Sequence, residues 1–255
     1  MYRYTAVYVP VVQWIGYLPP KEMMQVRFLP GALSSYCLSA MLHIVSNKFC
    51  IKIIEELFVK IKKPVFGVDV DDVLFGCVEA ICAYLNRVHG YTIRWTDVTT
   101  FYFDDLLGLS MEEARRIVYP FHFSEEHDNM RPISGAHEAL CTLAKTYRPV
   151  AITARSVAAR TRTIALVERY FPGLFSEFYF TGYVAGQPRR TKGDVCASVR
   201  ASFMVEDALH NACTVGEKGI RVYLMDQPWN QCDILPPNTI RVFHWDDVLR
   251  HESLI

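Results

Sequence analysis

The chain has 255 residues, with 27 Lys or Arg and 27 Asp or Glu, so its formal net charge at pH 7 is zero. No run of like charge indicates a nucleic-acid or membrane surface, and the length allows one domain with an insertion or two small domains. We therefore expect small-molecule partners, no nucleic acid polymer and no membrane, with a homodimer left open. Eight cysteines without a CxxC pair favour reduced thiols and a cytoplasmic location.

The N-terminal region differs from the rest of the chain. Residues 28–47 are uncharged and long enough to span a bilayer, but Pro30, Gly31 and His43 dilute their hydrophobicity. Residues 11–33 show neither helical nor strand periodicity. We expect residues 1–48 to be an atypical extension outside the folded domain, either disordered or translated from a misplaced start codon.

Regular elements begin at residue 49. A helical pattern runs to Pro64, and the stretch VFGVDV then predicts a short buried strand that ends in an acidic cluster. Residues 76–89 predict a helix that Gly90 ends. Its buried face comprises Val78, Ile81, Cys82, Leu85 and Val88. A helix therefore follows the first strand directly.

The section from residue 91 to residue 148 is helical and rich in aromatic residues. Ser110 and Glu113 have the spacing of a capping box, which predicts a helix through Val118. A second helix is predicted over residues 135–145. After it, strands at PVAIT, SEFYFTG, SFMVED, IRVYLM and TIRVFHW alternate with helices at residues 157–171 and KGDVCASVRA, and a short helix follows Trp245.

This alternation predicts an α/β fold with a mostly parallel sheet covered on both faces. Ligands of such sheets bind at the carboxyl ends of the strands. The predicted strands there end in Asp69 and Asp71, in Thr153, and in Glu206 and Asp207. Carboxylates brought together at one edge repel each other unless a cation bridges them, and hard oxygen ligands select Mg²⁺.

Four motifs in this order resemble those of the haloacid dehalogenase superfamily of phosphohydrolases: DVD, ITARS, RRTKGD and FMVEDALHN. The stretches VTTFYFDDLLGLSMEEA and RPISGAHEALCTL are similar to its branch of cytosolic type C 5′(3′)-deoxyribonucleotidases. The resemblance implies a Rossmann-like core over residues 49–74 and 149–255, with a small helical cap over 75–148 inserted after the first strand. It implies an Mg²⁺-dependent phosphatase for a small phosphorylated metabolite, with a nucleoside monophosphate as the specific expectation.

The resemblance also implies roles for individual residues. Asp69 is the expected nucleophile that forms an aspartyl-phosphate, and Asp71 is the expected general acid and base. The expected Mg²⁺ ligands are the Asp69 side chain, the Asp71 backbone carbonyl and Asp207, with Glu206 acting through water. Thr153 and Lys192 are expected to bind the phosphate. Arg155 is expected to contact phosphate or substrate, with an exposed arginine at a helix start as the alternative.

Several alternatives accompany these expectations. The aspartates after the first strand and the pair at residues 206 and 207 also suit helix caps, and Asp72 is expected to be a cap without a chemical role. The substrate could instead be a sugar phosphate, and the protein could be a receiver-type phosphoacceptor or a binding protein without catalysis.

Other residues are expected to have no role in the site. We expect His122 and His127 to face solvent, and Trp229 and Asn230 to be structural. Most of the aromatic side chains at residues 101–103 and 119–123 are expected to form the cap core rather than a platform for a nucleobase.

Overall fold

The computed structural model describes residues 63–182 and 190–255. The expected extension at residues 1–48, and all of the helix predicted from residue 49 except its end, lie outside the described residues. None of the helices in the described ranges is long and apolar enough to cross a bilayer.

The described strands form one parallel sheet. They are β1 (Val65–Val68), β2 (Arg148–Thr153), β3 (Phe178–Phe180), β4 (Ala201–Glu206), β5 (Arg221–Met225) and β6 (Thr239–Val242). Their order in the sheet is β3-β2-β1-β4-β5-β6. The predicted α/β class is therefore confirmed, and β1 lies in the middle of the sheet between β2 and β4.

Helices connect these strands. They are α1 (Cys77–His89), α2 (Phe103–Leu107), α3 (Met111–Val118), α4 (Glu125–Asp128), α5 (Ala136–Thr146), α6 (Arg160–Tyr170), α7 (Lys192–Val199), α8 (Leu209–Gly216) and α9 (Trp245–His251). Short 3₁₀ turns lie at Trp95–Asp97, Tyr119–Phe123, Val157–Ala159 and Pro228–Asn230.

Alternating strand side chains divide the core into two apolar layers. Phe66 and Val68 of β1 pack on one face of the sheet with Leu140 of α5. Val150 of β2 packs on the other face with Val215 of α8. Successive strand residues point to opposite faces, so strands that are apolar throughout require helices on both sides. The structure confirms this arrangement.

Most of the predicted helices are present. The Ser110 hydroxyl accepts a hydrogen bond from the backbone N–H of Glu113, and the backbone N–H of Ser110 donates to the Glu113 side chain. The predicted capping box therefore begins α3. Gly90 ends α1 with a left-handed φ of 72°. Val88 was wrongly placed on the buried face of α1, because its side chain is exposed in the last turn.

Helix α8 was not predicted. Its sequence, LHNACTVG, mixes polar and small residues and lacks a strong apolar stripe. It nevertheless packs closely on α7: a Cβ at Gly193 would lie 2.1 Å from the backbone oxygen of Thr214. Glycine at this position therefore allows the two helices to approach each other.

The packing of α5 bears on the extent of the predicted cap. Ala139, Leu140 and Leu143 belong to the same apolar cluster as Phe66 and Val68 of β1. Ile81 and Leu85 of α1 belong to this cluster as well, but α5 alone leads directly into β2. We propose that the cap ends near residue 134 rather than at residue 148.

Candidate active site

The carboxyl ends of the three central strands bring the predicted site residues together. Asp69 follows β1 directly, and its backbone N–H donates to the carbonyl of Val205 in β4 at 3.0 Å. Thr153 ends β2 and Glu206 ends β4, each next to β1 in the sheet. All three side chains are buried. The predicted convergence of distant motifs at one sheet edge is present in the structure.

Lys192 supplies the positive charge at the centre of the site. It is the first residue of α7, whose start is fixed by a capping box between Thr191 and Asp194. Its Nζ lies 2.8 Å from Asp69 Oδ1 and 2.9 Å from Glu206 Oε2, and its side chain is 1% exposed. A buried ammonium between two buried carboxylates is stable only as part of such a set.

The carboxylates outnumber the cation that neutralises them. Burial raises the pKa of Asp69 to about 7, although the charge of Lys192 opposes this shift. Burial, followed by the charges of Glu206 and Asp69, raises the pKa of Asp207 well above its usual value. Carboxylate oxygens of Asp69, Glu206 and Asp207 lie within 4.8 Å of one another. This excess of negative charge on hard oxygen donors fits a divalent cation such as Mg²⁺.

Glu206 already has several protein donors. Its Oε1 accepts from the backbone N–H of Ala208 at 3.2 Å and from Asn211 Nδ2 at 3.1 Å, while Oε2 accepts from Lys192. Because both oxygens are engaged, the geometry favours a supporting position for Glu206 over direct metal ligation.

Asp71 forms a separate pair with Arg155. Arg155 Nε lies 3.1 Å from each carboxylate oxygen of Asp71, and Nη2 donates to Oδ1 at 2.6 Å. Burial alone would raise the pKa of Asp71, but the charge and hydrogen bonds of Arg155 hold this pKa well below its usual value. The alternative of an exposed arginine is wrong, since the Arg155 side chain is 1% exposed.

Thr153 and Asp72 shape the two loops around these carboxylates. Thr153 Oγ1 accepts from the backbone N–H of Arg155 at 3.1 Å, which leaves the hydroxyl proton for another acceptor. Asp72 has a left-handed φ of 52°. Both of its carboxylate oxygens lie within 3.2 Å of the backbone nitrogen of Val78, in the first turn of α1. This geometry agrees with the expected cap role of Asp72.

The expectation for His127 is wrong, because its side chain is fully buried. Nε2 lies 2.7 Å from Arg155 Nη1, and Nδ1 lies 3.0 Å from Asp128 Oδ1. Arginine only donates, so Nε2 is the acceptor and Nδ1 carries the proton. Burial and then the charge of Arg155 lower the pKa of His127, which agrees with this neutral form. No pattern in the sequence predicts this contact, which joins residues 28 positions apart.

His122 also lies near the site. It is half-buried, its ring centroid lies 6.1 Å from that of His127, and burial followed by the charge of Arg155 lowers its pKa to about 4. The expectation that His122 faces solvent therefore fails as well.

Trp229 and Asn230 contact the fourth motif. The indole Nε1 of Trp229 donates to Asp207 Oδ2 at 2.8 Å, and Asn230 Nδ2 donates to the backbone oxygen of Asp207 at 2.6 Å. Both residues were expected to be structural. The order of the strands in the sheet could have predicted these contacts with Asp207, because the loop after β5 lies beside the loop after β4.

The aromatic residues of the cap segment are mostly on the surface. Phe121 is buried, as expected for cap core, but Phe101, Tyr102, Tyr119 and Phe123 are exposed, so the expectation is wrong for these four. The rings of Phe101 and Tyr102 contact His210, with centroid distances of 4.6 and 6.3 Å. His210 lies in α8, three residues after Asp207.

Solved structures share this fold at low sequence identity. A haloacid dehalogenase-like hydrolase from Streptococcus pneumoniae has a TM-score of 0.56 and 14% identity over 74% of this chain and 98% of that chain. A predicted phosphatase from Clostridium acetobutylicum has a TM-score of 0.56 and 12% identity over 76% and 99%. L-2-haloacid dehalogenase from Xanthobacter autotrophicus has a TM-score of 0.51 and 11% identity over 75% and 98%. At these identities the likeness establishes the fold alone.

A family model identifies the chain more narrowly. The model described as 5′ nucleotidase, deoxy (pyrimidine), cytosolic type C protein matches residues 63–252, whereas no curated protein matches the chain. The match confirms the predicted resemblance and the predicted enzyme class, a phosphatase acting on phosphoric monoesters. The chain belongs to the cytosolic type C 5′-deoxynucleotidase family of haloacid dehalogenase-like phosphatases.

Proposed function

We propose that the protein hydrolyses the phosphomonoester of a nucleoside monophosphate through an aspartyl-phosphate on Asp69. The observation that carries the proposal is the buried Asp69 carboxylate held 2.8 Å from Lys192 at the end of the central strand. Hydrolysis of a phosphate monoester is extremely slow without a catalyst, so the site must neutralise phosphoryl charge and supply a nucleophile and a proton. Lys192, Thr153 and the two aspartates provide these functions.

The proposed reaction has two steps. In the first, an Asp69 oxygen bonds to phosphorus, the bond from phosphorus to the leaving oxygen breaks, and that oxygen takes the proton of the Asp71 carboxyl. In the second, a water oxygen bonds to phosphorus, the bond to Asp69 breaks, and a water proton returns to Asp71. The products are an alcohol and inorganic phosphate.

Arg155 fits both proposed steps. Its pairing with Asp71 keeps the carboxylate ionised, which is the form that accepts a proton from water. An incoming phosphoryl dianion attracts the same guanidinium and weakens its hold on Asp71. The pKa of Asp71 then rises, and the carboxyl can carry the proton that the leaving oxygen needs.

The side chains of Asp69 and Asp207 and the backbone carbonyl of Asp71 would hold Mg²⁺, with Glu206 acting through water. The ion would offset the negative charge of the phosphoryl group when bound. The carboxylate oxygens of Asp69, Glu206 and Asp207, which lie within 4.8 Å of one another, support this assignment.

A phosphate-release panel tests the proposed substrate. The exposed rings of Phe101 and Tyr102, next to the fourth motif, favour a planar base over a bare sugar. With Mg²⁺ present, we expect the highest kcat/KM for nucleoside 5′-monophosphates among ribo- and deoxyribonucleotides and sugar phosphates. Activity confined to sugar phosphates would favour the alternative substrate class, and no release from any ester would contradict the hydrolase mechanism.

Stabilisation by Mg²⁺ should depend on pH. The pKa of Asp69 is raised from 3.8 to about 7 in the folded protein without metal. The stability that protonated Asp69 contributes is therefore fully present below pH ~4, and it is lost as the pH rises through about 7. Mg²⁺ binds the carboxylate form, so it should raise Tm more at pH 8 than at pH 5.

Thermal denaturation with and without Mg²⁺ measures this difference, with NaCl at equal ionic strength as the control. Equal increases in Tm at both pH values would contradict the linkage between Asp69 and the cation.

A further inference from the structure

The loop after β5 holds the carboxylate of Asp207 from outside the four motifs. Trp229 Nε1 donates to Asp207 Oδ2 at 2.8 Å, and both side chains are buried. Asn230 Nδ2 donates to the Asp207 backbone oxygen at 2.6 Å. Two adjacent residues thus fix both the side chain and the main chain of Asp207.

This loop is itself held in place. Asn230 Nδ2 also donates to the carbonyl of Met225 at the end of β5, at 2.6 Å. Arg241 of β6 donates to Asn230 Oδ1 at 2.6 Å and to the Asn230 backbone oxygen at 2.8 Å. The direction of the Trp229 N–H is therefore set by two neighbouring strands before any cation binds.

The indole restricts how Asp207 can bind a cation. The Nε1–H group only donates, and its hydrogen bond occupies Oδ2. Oδ2 keeps a second lone pair, but the positively polarised N–H beside it makes the other oxygen of Asp207 the better ligand for a cation. Mg²⁺ requires nearly octahedral geometry and suits single carboxylate oxygens, whereas Ca²⁺ takes six to eight ligands and readily binds both oxygens of one carboxylate.

We propose that Trp229 is a positioning residue that favours one-oxygen coordination by Asp207 and thereby favours Mg²⁺ over Ca²⁺. The inference rests on the proposed function in one respect, that Asp207 is a metal ligand. It assigns to the loop after β5 a role in choosing the cation, in addition to the four motifs that supply the ligands.

Calorimetric titration of the full chain with Mg²⁺ and, separately, with Ca²⁺ tests the proposal without measuring catalysis. In Trp229→Phe, the ratio of the Ca²⁺ Kd to the Mg²⁺ Kd should fall by about 10-fold or more, as expected for loss of a contact that orients a ligand. Tyr223→Phe is the matched control. It removes a buried aromatic donor to Glu252 from β5, the strand that precedes the loop of Trp229, and the ratio should stay unchanged.

A second variant tests the proposal if Trp229→Phe does not fold. In 3-benzothienylalanine a sulfur atom replaces the indole N–H and the bicyclic ring keeps nearly the same size, so this replacement of Trp229 should lower the ratio in the same way. An unchanged ratio in either folded variant would overturn the role of Trp229. If the wild-type protein bound neither cation, the proposed metal-dependent function would fail instead.

Discussion

Asp69→Asn should lower phosphatase activity by at least about 10⁴-fold, because it replaces the nucleophile with an amide that cannot form an acyl phosphate. The substitution keeps the shape of the side chain, which Lys192 contacts at 2.8 Å. Phosphate release measures the loss. Acid quenching with a labelled substrate should detect phosphorylated protein in the wild type and none in the variant.

Asp72→Asn provides the control for this experiment. It makes the same chemical change three residues away, at a side chain that accepts from Val78 in the first turn of α1. Asparagine tolerates a left-handed φ and keeps one acceptor oxygen, so the activity should stay near that of the wild type. Comparable losses in both variants would contradict the assignment of Asp69 as the nucleophile.

Lys192→Met should lower the free energy of unfolding by about 3–5 kcal/mol, because it leaves Asp69 and Glu206 buried without their shared cation. The loss should be larger at pH 8 than at pH 5, since protonation of Asp69 removes part of the uncompensated charge. Urea denaturation without metal at the two pH values measures both effects.

Lys218→Met is the matched substitution. Lys218 lies 3.0 Å from Asp194, but its side chain is 44% exposed. Exposed ion pairs contribute about 0–1 kcal/mol, so its removal should have little effect at either pH. A loss in Lys192→Met no larger than in Lys218→Met would show that the buried ammonium does not stabilise the site.

The parts of the fold that the sequence predicts are those with a local cause. Apolar strands followed by Asp69, Thr153 and Glu206 predict a sheet edge, because burial pattern and chain order together determine which ends meet. The capping box at Ser110 is equally local. Helix α8 was not predicted because packing against α7, rather than an apolar stripe of its own, accounts for its presence.

The parts of the site that could not be predicted from the sequence depend on contacts between residues far apart in the chain. His127 meets Arg155 across 28 positions, and Trp229 meets Asp207 across 22 positions. Neither His127 nor Trp229 belongs to a motif. The buried guanidinium of Arg155 needs an acceptor, and the buried carboxylate of Asp207 needs a donor. Which residues meet these needs can be seen only when the strands are placed side by side.

The chain of contacts from Asp128 through His127 to Arg155 limits how the enzyme can be re-engineered. His127 belongs to the segment before α5, whereas Arg155 follows β2, so one buried hydrogen bond joins the two parts. Exchanging that segment for one without an acceptor at this position would leave a buried guanidinium N–H unpaired, at a cost of about 1–3 kcal/mol. A graft intended to alter substrate choice must therefore include His127, or change Arg155 at the same time.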